Sequence, residues 1–533
     1  MKLDLENAFK SILRDDRRGN NPTPDPLRFS YVTLDKKLIF KEIKEKIKNG
    51  KYSVEPLLMI DVPKSNFTIR PMARPEITDW IAYQAVINYL VPKIIRKTSR
   101  RSYSMLNFRD PRRRRVNAWK KFDDKSRDLY KSGNLYVVIT DISGYFENID
   151  LRELRKKLIN YIDKRDKNTT EVIDFLHNKI LLPWSSRRVE NFGLPQGPTA
   201  SSFLGDIYLD NFDREMESEP SYFRYMDDIR VFCKSEIKAK KALIKIVKSL
   251  RKYKLNINAK KTRILRNLEI EKELFDPKKA ILDSIQEALE SQEFSKIQAI
   301  KSILLKDIFK GGFSDKNPFQ RRHLNFGIFR LSILKSSGID FNEKIAIDLI
   351  LDNFTKKPHH SKDFCSFLTL FPRSQRIKEF LIKFLFSKDN IYEWQELHVL
   401  RALLKMKITV NRNLLKKLSR RFLDKNRNWA VRSLYCLLVG QYGRNTDREL
   451  LIDEFNSAEK NEIRKSIALA VQELGLASRN DFYRSVRKRI WPKSFVNYIK
   501  NLQKAMYFRP YDRIKIETLG EEKFEIIYSY RVR

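Results

Sequence analysis

Apolar residues along this chain fall into two regimes. Up to about residue 275, short β-branched runs alternate with amphipathic stretches, and beyond it the spacing is almost wholly helical. Leu135-Tyr136-Val137-Val138-Ile139 has the make-up of a buried strand, with Asp141 just past its end. Phe223 and Tyr225 alternate with Ser221, Tyr222 and Arg224. After a break at Met226-Asp227-Asp228, Ile229, Val231 and Phe232 resume, which predicts a hairpin with its carboxylates at the tip. Between these segments, Gly193-Leu194-Pro195-Gln196-Gly197-Pro198 predicts a tight turn with proline at a helix start. The amphipathic helix it opens carries Thr199 to Leu204, then Ile207, Tyr208, Leu209 and Phe212. The small residues of its first turns leave room for a base pair or a template backbone. A further helix is predicted from Ile237 to Tyr253.

In the second regime, segments starting at Arg330, Cys365, Arg401, Arg432 and Arg464 recur every 31–36 residues, the period of a two-helix repeat. The pattern predicts a stack of helical hairpins, each burying its face only against its neighbours. In equivalent positions, Arg401, Arg432 and Arg464 would form a basic stripe, although independent surface arginines are the simpler reading. Strand-like alternation returns in Ile514-Lys515-Ile516-Glu517 and Phe524-Glu525-Ile526-Ile527-Tyr528. The expected fold class is α+β followed by an all-α domain, divided as residues 1–275, 280–505 and a tail at 506–533.

Two carboxylate-bearing segments at the ends of apolar strands allow distant stretches to share a pair of hard divalent cations, the requirement of metal-assisted phosphoryl transfer. Either segment alone is also ordinary turn chemistry. A formal charge of +41 over 533 residues exceeds what solubility needs and points to an anionic polymer as partner. The sharpest basic run, Arg112-Arg113-Arg114-Arg115, is followed by Lys120 and Lys121 with Trp119 and Phe122 between. That mixture suits either nucleic acid or a solvated loop. Cys233, Cys365 and Cys436 are dispersed, which argues against a disulfide framework or a zinc site, and His359-His360 reads as a loop pair. No apolar stretch is long enough to span a bilayer, and the N-terminus lacks the apolar core of a signal peptide. A soluble protein of a reducing cytoplasm is expected.

These segments in this order resemble the reverse transcriptases. Asp141 to Asp150 is similar to their motif A, Gly193 to Leu204 to motif B, Tyr225-Met226-Asp227-Asp228 to motif C, and Leu255 to Thr262 to motif D. Upstream, Val62-Pro63-Lys64, Thr68 to Pro75 with Asp79, and Ser102-Tyr103-Ser104 resemble the fingers motifs of retron and group II intron enzymes. The resemblance covers about half the chain and implies a fingers-palm domain over residues 1–275. It implies Asp141, Asp227 and Asp228 as catalytic, metal-binding carboxylates, with the carbonyl of Ile142 assisting and two Mg2+ ions, or Mn2+, as cofactor. Phe146 would be the gate against a ribose 2′-hydroxyl, and Gln196 and Gly197 would line the nucleotide pocket. Arg70, with Lys64 and Arg74, would hold the dNTP triphosphate, and Lys261 would be the proton donor to pyrophosphate.

No maturase-like thumb, RNase H set, integrase pattern or zinc-type endonuclease cluster follows the palm. Palm and fingers followed by HEAT-like helical repeats in place of a thumb resemble the bacterial abortive-infection reverse transcriptases, the AbiK-like defence group used against phage. That resemblance implies homo-oligomers, DNA as product, and synthesis that can run without a template and be primed on a protein hydroxyl. Two other readings stay open. One is a templated enzyme working with a bound non-coding RNA, and the other is an inactive nucleic-acid-binding scaffold. Clustered carboxylates, which repel unless metals compensate them, argue against the scaffold.

Overall fold

The computed structural model describes residues 2–17, 25–109, 115–163, 165–185, 189–275, 301–313, 319–488 and 491–504, with isolated positions between 282 and 295. Its central feature is a four-stranded antiparallel sheet of β3 (Tyr136–Asp141), β4 (Tyr222–Tyr225), β5 (Asp228–Cys233) and β6 (Arg263–Arg266), in the order β4-β5-β3-β6. Both faces are covered, and the inner strand β5 is buried from Ile229 to Cys233. Val138, Ile229 and Val231 join the main core. Val137, Phe223, Phe232 and Leu265 form a second cluster with Phe122. Phe122 comes from the helix Arg115–Lys131.

Ahead of the sheet, β1 (Leu58–Pro63) and β2 (Ile69–Arg74) form a separate hairpin in which Val62 faces Arg70. The helix Ile77–Ile94 is buried almost all round, because it packs against both the helix Leu5–Arg17 and the helix Thr199–Tyr208. The last of these begins directly after Pro198, as its sequence predicts. Of its small residues, Ala200 and Ser201 are buried, the Ser201 hydroxyl 3.0 Å from the Tyr83 hydroxyl, so these two admit the neighbouring helix, while Thr199 and Ser202 stay half-buried.

After residue 300 the described elements are all helical. Phe319–Ser336, Ser361–Leu368, Glu393–Met406, Trp429–Tyr442 and Asn461–Ala470 pack one on the next in a continuous row. Gln375–Leu385, Arg412–Leu423 and Asn445–Ser457 each pack on that row from one side. The difference is written in the residues. Trp429–Tyr442 is buried along nearly its whole length, whereas Gln375–Leu385 buries only the stripe Ile377, Leu381, Phe384 and Leu385. Gly440 permits the close approach within the row, since a Cβ there would stand 2.6 Å from that of Ala470.

The arginine stripe does not form. Arg432 is 5% exposed and holds Glu454 at 2.7 Å, while Arg464 lies over the Trp491 ring. Position within a helical row decides this, because Arg432 sits on an interior helix and meets a carboxylate there. His359 and His360 are likewise not a loose loop pair. They belong to a 3-10 turn in which His360 is buried against Phe364. Arg112 to Arg114 and the tail segments Ile514–Glu517 and Phe524–Tyr528 lie outside the described residues; Arg115 opens the helix Arg115–Lys131. The three cysteines are free and buried. Among the described residues, no helix is long and apolar enough to cross a membrane.

The compositional break near residue 275 is not a break in space. The helix Lys493–Lys504 packs on Ser30–Leu34 and Lys36–Lys48, with the Tyr31 hydroxyl 2.7 Å from that of Ser494. Lys465 reaches Glu76 at 2.5 Å. The helical row also touches the β1–β2 hairpin. Asn428 Nδ2 donates to the Met59 carbonyl at 2.7 Å, and the Tyr392 hydroxyl donates to the Phe67 carbonyl at 3.0 Å.

Candidate active site

Asp141 is the last residue of β3 and Asp228 the first of β5, and the two face each other across the ladder. Asp227 sits in the turn that precedes Asp228, and its carbonyl accepts the Ile142 N–H at 3.3 Å. The turn is possible because Met226 takes a left-handed conformation, φ 55°. Asp141 is pinned again from the other side, where its carbonyl accepts the Asn258 N–H at 2.6 Å. Burial first, and then the adjacent Asp141 charge, pushes the Asp227 carboxyl up to about 7. Lys261 follows Asn258 by three residues and places its ammonium 2.5 Å from Asp141 Oδ2.

A buried network beneath the turn was not anticipated from sequence. Arg224, fully buried, donates through Nη1 to Asp206 Oδ1 at 2.6 Å and to the Met226 carbonyl at 2.8 Å. Its Nε and Nη2 each donate to Asp213 at 2.7 Å. Ser102 and Ser104 both donate to Asp206 Oδ1 at 2.8 Å, and the Ser104 hydroxyl also accepts the Met226 N–H at 3.1 Å. Backbone donor and backbone acceptor of Met226 are therefore both held, which fixes where Asp227 and Asp228 emerge. The Ser102-Tyr103-Ser104 segment was the one visible signal of this support.

Gln196 and Gly197 face the fingers strand directly. The Gln196 carbonyl accepts the Ala73 N–H at 2.8 Å, and a Cβ on Gly197, whose φ is 145°, would stand 2.8 Å from the Ala73 carbonyl oxygen. Phe146 lies half-buried in the 3-10 turn Tyr145–Asn148, and its carbonyl accepts the Leu194 N–H at 2.9 Å. Lys64 and Arg70 are exposed on the β1–β2 hairpin. Arg74 is not available to a nucleotide. It is 2% exposed, pairs with Asp25 at 3.2 Å and lies over the rings of Trp80 and Trp429. Arg70 and Arg74 lie four apart, on one side of the strand by alternation, but β2 runs from an exposed start at Ile69 and Arg70 into a buried end at Met72 to Arg74.

Among the described residues, no three acidic, histidine or cysteine side chains are gathered into a ready-made metal cage. The donors present suit a hard divalent cation that draws the rest of its shell from water and phosphate oxygens, the habit of Mg2+. A bound cation would offset both the burial and the neighbouring Asp141 charge that raise Asp227.

Residues 62–305 match the family model for reverse transcriptase (RNA-dependent DNA polymerase). Protein YkfC of Escherichia coli (strain K12) is 26% identical over 174 residues, which is 32% of this chain and 44% of that protein. The chain thus spans less than half the length of the curated relative it matches. Among solved structures, telomerase from Candida tropicalis with a fragment of telomeric RNA superposes at TM-score 0.29 and 13% identity, covering 74% of this chain and 67% of that one. Its apo form gives TM-score 0.31 at 13% identity, covering 67% and 73%. The Candida albicans telomerase complex gives 0.27 at 12%, covering 81% and 70%. The chain carries a reverse transcriptase domain over residues 62–305.

Proposed function

We propose that this protein is a DNA polymerase, RNA-directed or template-independent, that joins dNTPs by two-metal nucleotidyl transfer. The observation that carries the reading is the meeting of Asp141 with Asp227-Asp228 at the end of β3 and β5. Asp141 and Asp227 would hold the ions, with Asp228 and the Ile142 carbonyl beside them. When bound, divalent cations would stabilise charge on the attacking and leaving oxygens. The chain's own groups do the rest. Arg70 and Lys64, exposed on the hairpin, would take the triphosphate, and the planar fork of Arg70 suits phosphate oxygens. Gln196 and Gly197 would shape the base-pair pocket, with Phe146 against the ribose. Lys261, which rests on Asp141, would hand a proton to pyrophosphate once a substrate draws it away.

The finer reading extends this. The helical row would act as a HEAT-like domain in place of a thumb, in a homo-oligomeric enzyme of the bacterial abortive-infection type that defends against phage and can prime on a protein hydroxyl. Its support is the sequence resemblance together with the paired-helix packing after residue 300.

Purified full-length protein with Mg2+ and labelled dNTPs, without added template, should incorporate label. Asp227→Ala should lower the rate at least about 1,000-fold, the scale on which removal of a catalytic group is read. Incorporation that survives the substitution would sink the assignment. Label that migrates with the denatured polypeptide identifies protein priming, product sequence identifies a copied template, and a ribonucleotide arm reports on Phe146.

A further inference from the structure

A small cationic pocket lies between two interior helices of the helical row, outside the polymerase motifs. From the helix Ser361–Leu368 and the residue following it come Lys362, Cys365, Ser366 and Thr369. From the helix Glu393–Met406 come His398, Arg401, Ala402 and Lys405. Lys362, Ser366 and Thr369 are spaced four and three apart, and His398, Arg401 and Lys405 three and four apart. Each set forms one stripe along its helix, and the two helices pack on each other. The next junction of the row carries a carboxylate, Glu396, paired with the Tyr435 hydroxyl at 2.5 Å, whereas the polar groups lining this one include three cations and no carboxylate.

The cavity measures about 40 Å³. It has room for one small tetrahedral group and none for a nucleoside. The charges bearing on His398 are those of Arg401, Lys362 and Lys405, and burial together with these cations holds the imidazole well below its ordinary range, hence neutral. His398 is 3% exposed, and its Nε2 is buried with no hydrogen-bond partner among the described residues. A buried polar atom in that state costs free energy unless a ligand meets it. Convergent cations with a neutral imidazole and a serine hydroxyl form a set suited to a tetrahedral oxyanion.

We propose that this pocket binds a phosphate group through Lys362, Arg401 and Lys405, with His398 completing the coordination. Its chemistry fits a phosphodiester of a nucleic-acid strand or a free phosphate equally, and only the strand as source rests on the polymerase reading. The site would give the helical domain a grip on nucleic acid apart from the carboxylates.

The test is binding, which needs no catalysis, so a chain that fails to incorporate nucleotide still decides it. Orthophosphate, compared with chloride at matched ionic strength, should raise the thermal midpoint of the full-length wild type and leave Arg401→Gln/Lys405→Gln unmoved. Fluorescence anisotropy with a single-stranded oligothymidylate should show that variant binding at least about fivefold more weakly. Its log–log salt slope should be shallower by about 0.7 for each phosphate that the variant no longer neutralises. Loss of the orthophosphate response with unchanged oligothymidylate binding supports the pocket and assigns it to a free phosphate. A variant that keeps both responses, or a wild type that does not respond to orthophosphate, overturns the proposal. Should the double variant fail to fold, Lys362→Gln and Lys405→Gln, each altering a side chain that is not fully buried, carry the same comparison.

Discussion

At the scale of single residues, the placement of the proposed catalytic carboxylates was legible because the ends of two apolar runs set it. Asp141 and Asp227-Asp228 stand at strand ends, and a strand end is where an apolar run stops. Gly197 was legible as part of a turn but not as a spacer. Its role depends on the Ala73 carbonyl, more than a hundred residues away, which no local pattern encodes. A methyl group there meets a backbone oxygen at 2.8 Å and a φ of 145° that side chains rarely adopt. Gly197→Ala should lose about 1–3 kcal/mol to backbone strain alone, and incorporation should fall at least about tenfold as Gln196 shifts against the fingers strand. Urea denaturation read beside dNTP incorporation checks both, and an alanine variant of normal stability and rate would refute the close approach. Arg74 shows the opposite failure. It shares a short segment with Arg70, yet its place in β2 turns it inward onto Asp25.

At the scale of elements, the hairpin β4–β5 followed its sequence pattern, but the reason it holds its shape did not. Arg224 occupies a polar position in an alternating strand, and alternation alone predicts exposure. In the fold it is buried between Asp206 and Asp213, residues of the helices Thr199–Tyr208 and Asp210–Glu215. One cation and two carboxylates are tolerated in the core only when the fold brings them together. Removing the cation strands two buried carboxylates, so Arg224→Met should destabilise the protein by about 3–5 kcal/mol. Arg224→Lys keeps the charge but cannot reach both aspartates and the Met226 carbonyl at once, so it should recover part of the stability and little of the activity. Denaturant midpoints of the two variants decide this, and equal midpoints would show that geometry contributes nothing.

At the scale of the whole molecule, the change in composition near residue 275 suggested two successive domains, whereas the described residues interlock. Glu76 and Asp79, at the start of the helix Ile77–Ile94, share a buried cluster with Lys465 of the helical row. Burial, followed by the Glu76 charge, pushes the Asp79 carboxyl up to about 7 from an ordinary 3.8. Between roughly pH 4 and 7 the folded chain therefore keeps a proton that the unfolded chain has released. Stability falls as pH rises through that window and levels off above it, by at most about 4 kcal/mol at 1.36 kcal/mol per unit. Asp79→Asn should flatten the fall, and urea midpoints at pH 5 and pH 8 check it. A slope as steep in the variant as in the wild type would assign it elsewhere. The embrace of helix Lys493–Lys504 by residues 30–48 also sets an order in time. During synthesis, Tyr31 leaves the ribosome about 450 residues before Ser494, its partner. At about 5–20 residues per second, the first helices wait on the order of tens of seconds with an apolar face uncovered. For that interval the face is open to any other apolar surface, a hazard of synthesis that the finished form conceals.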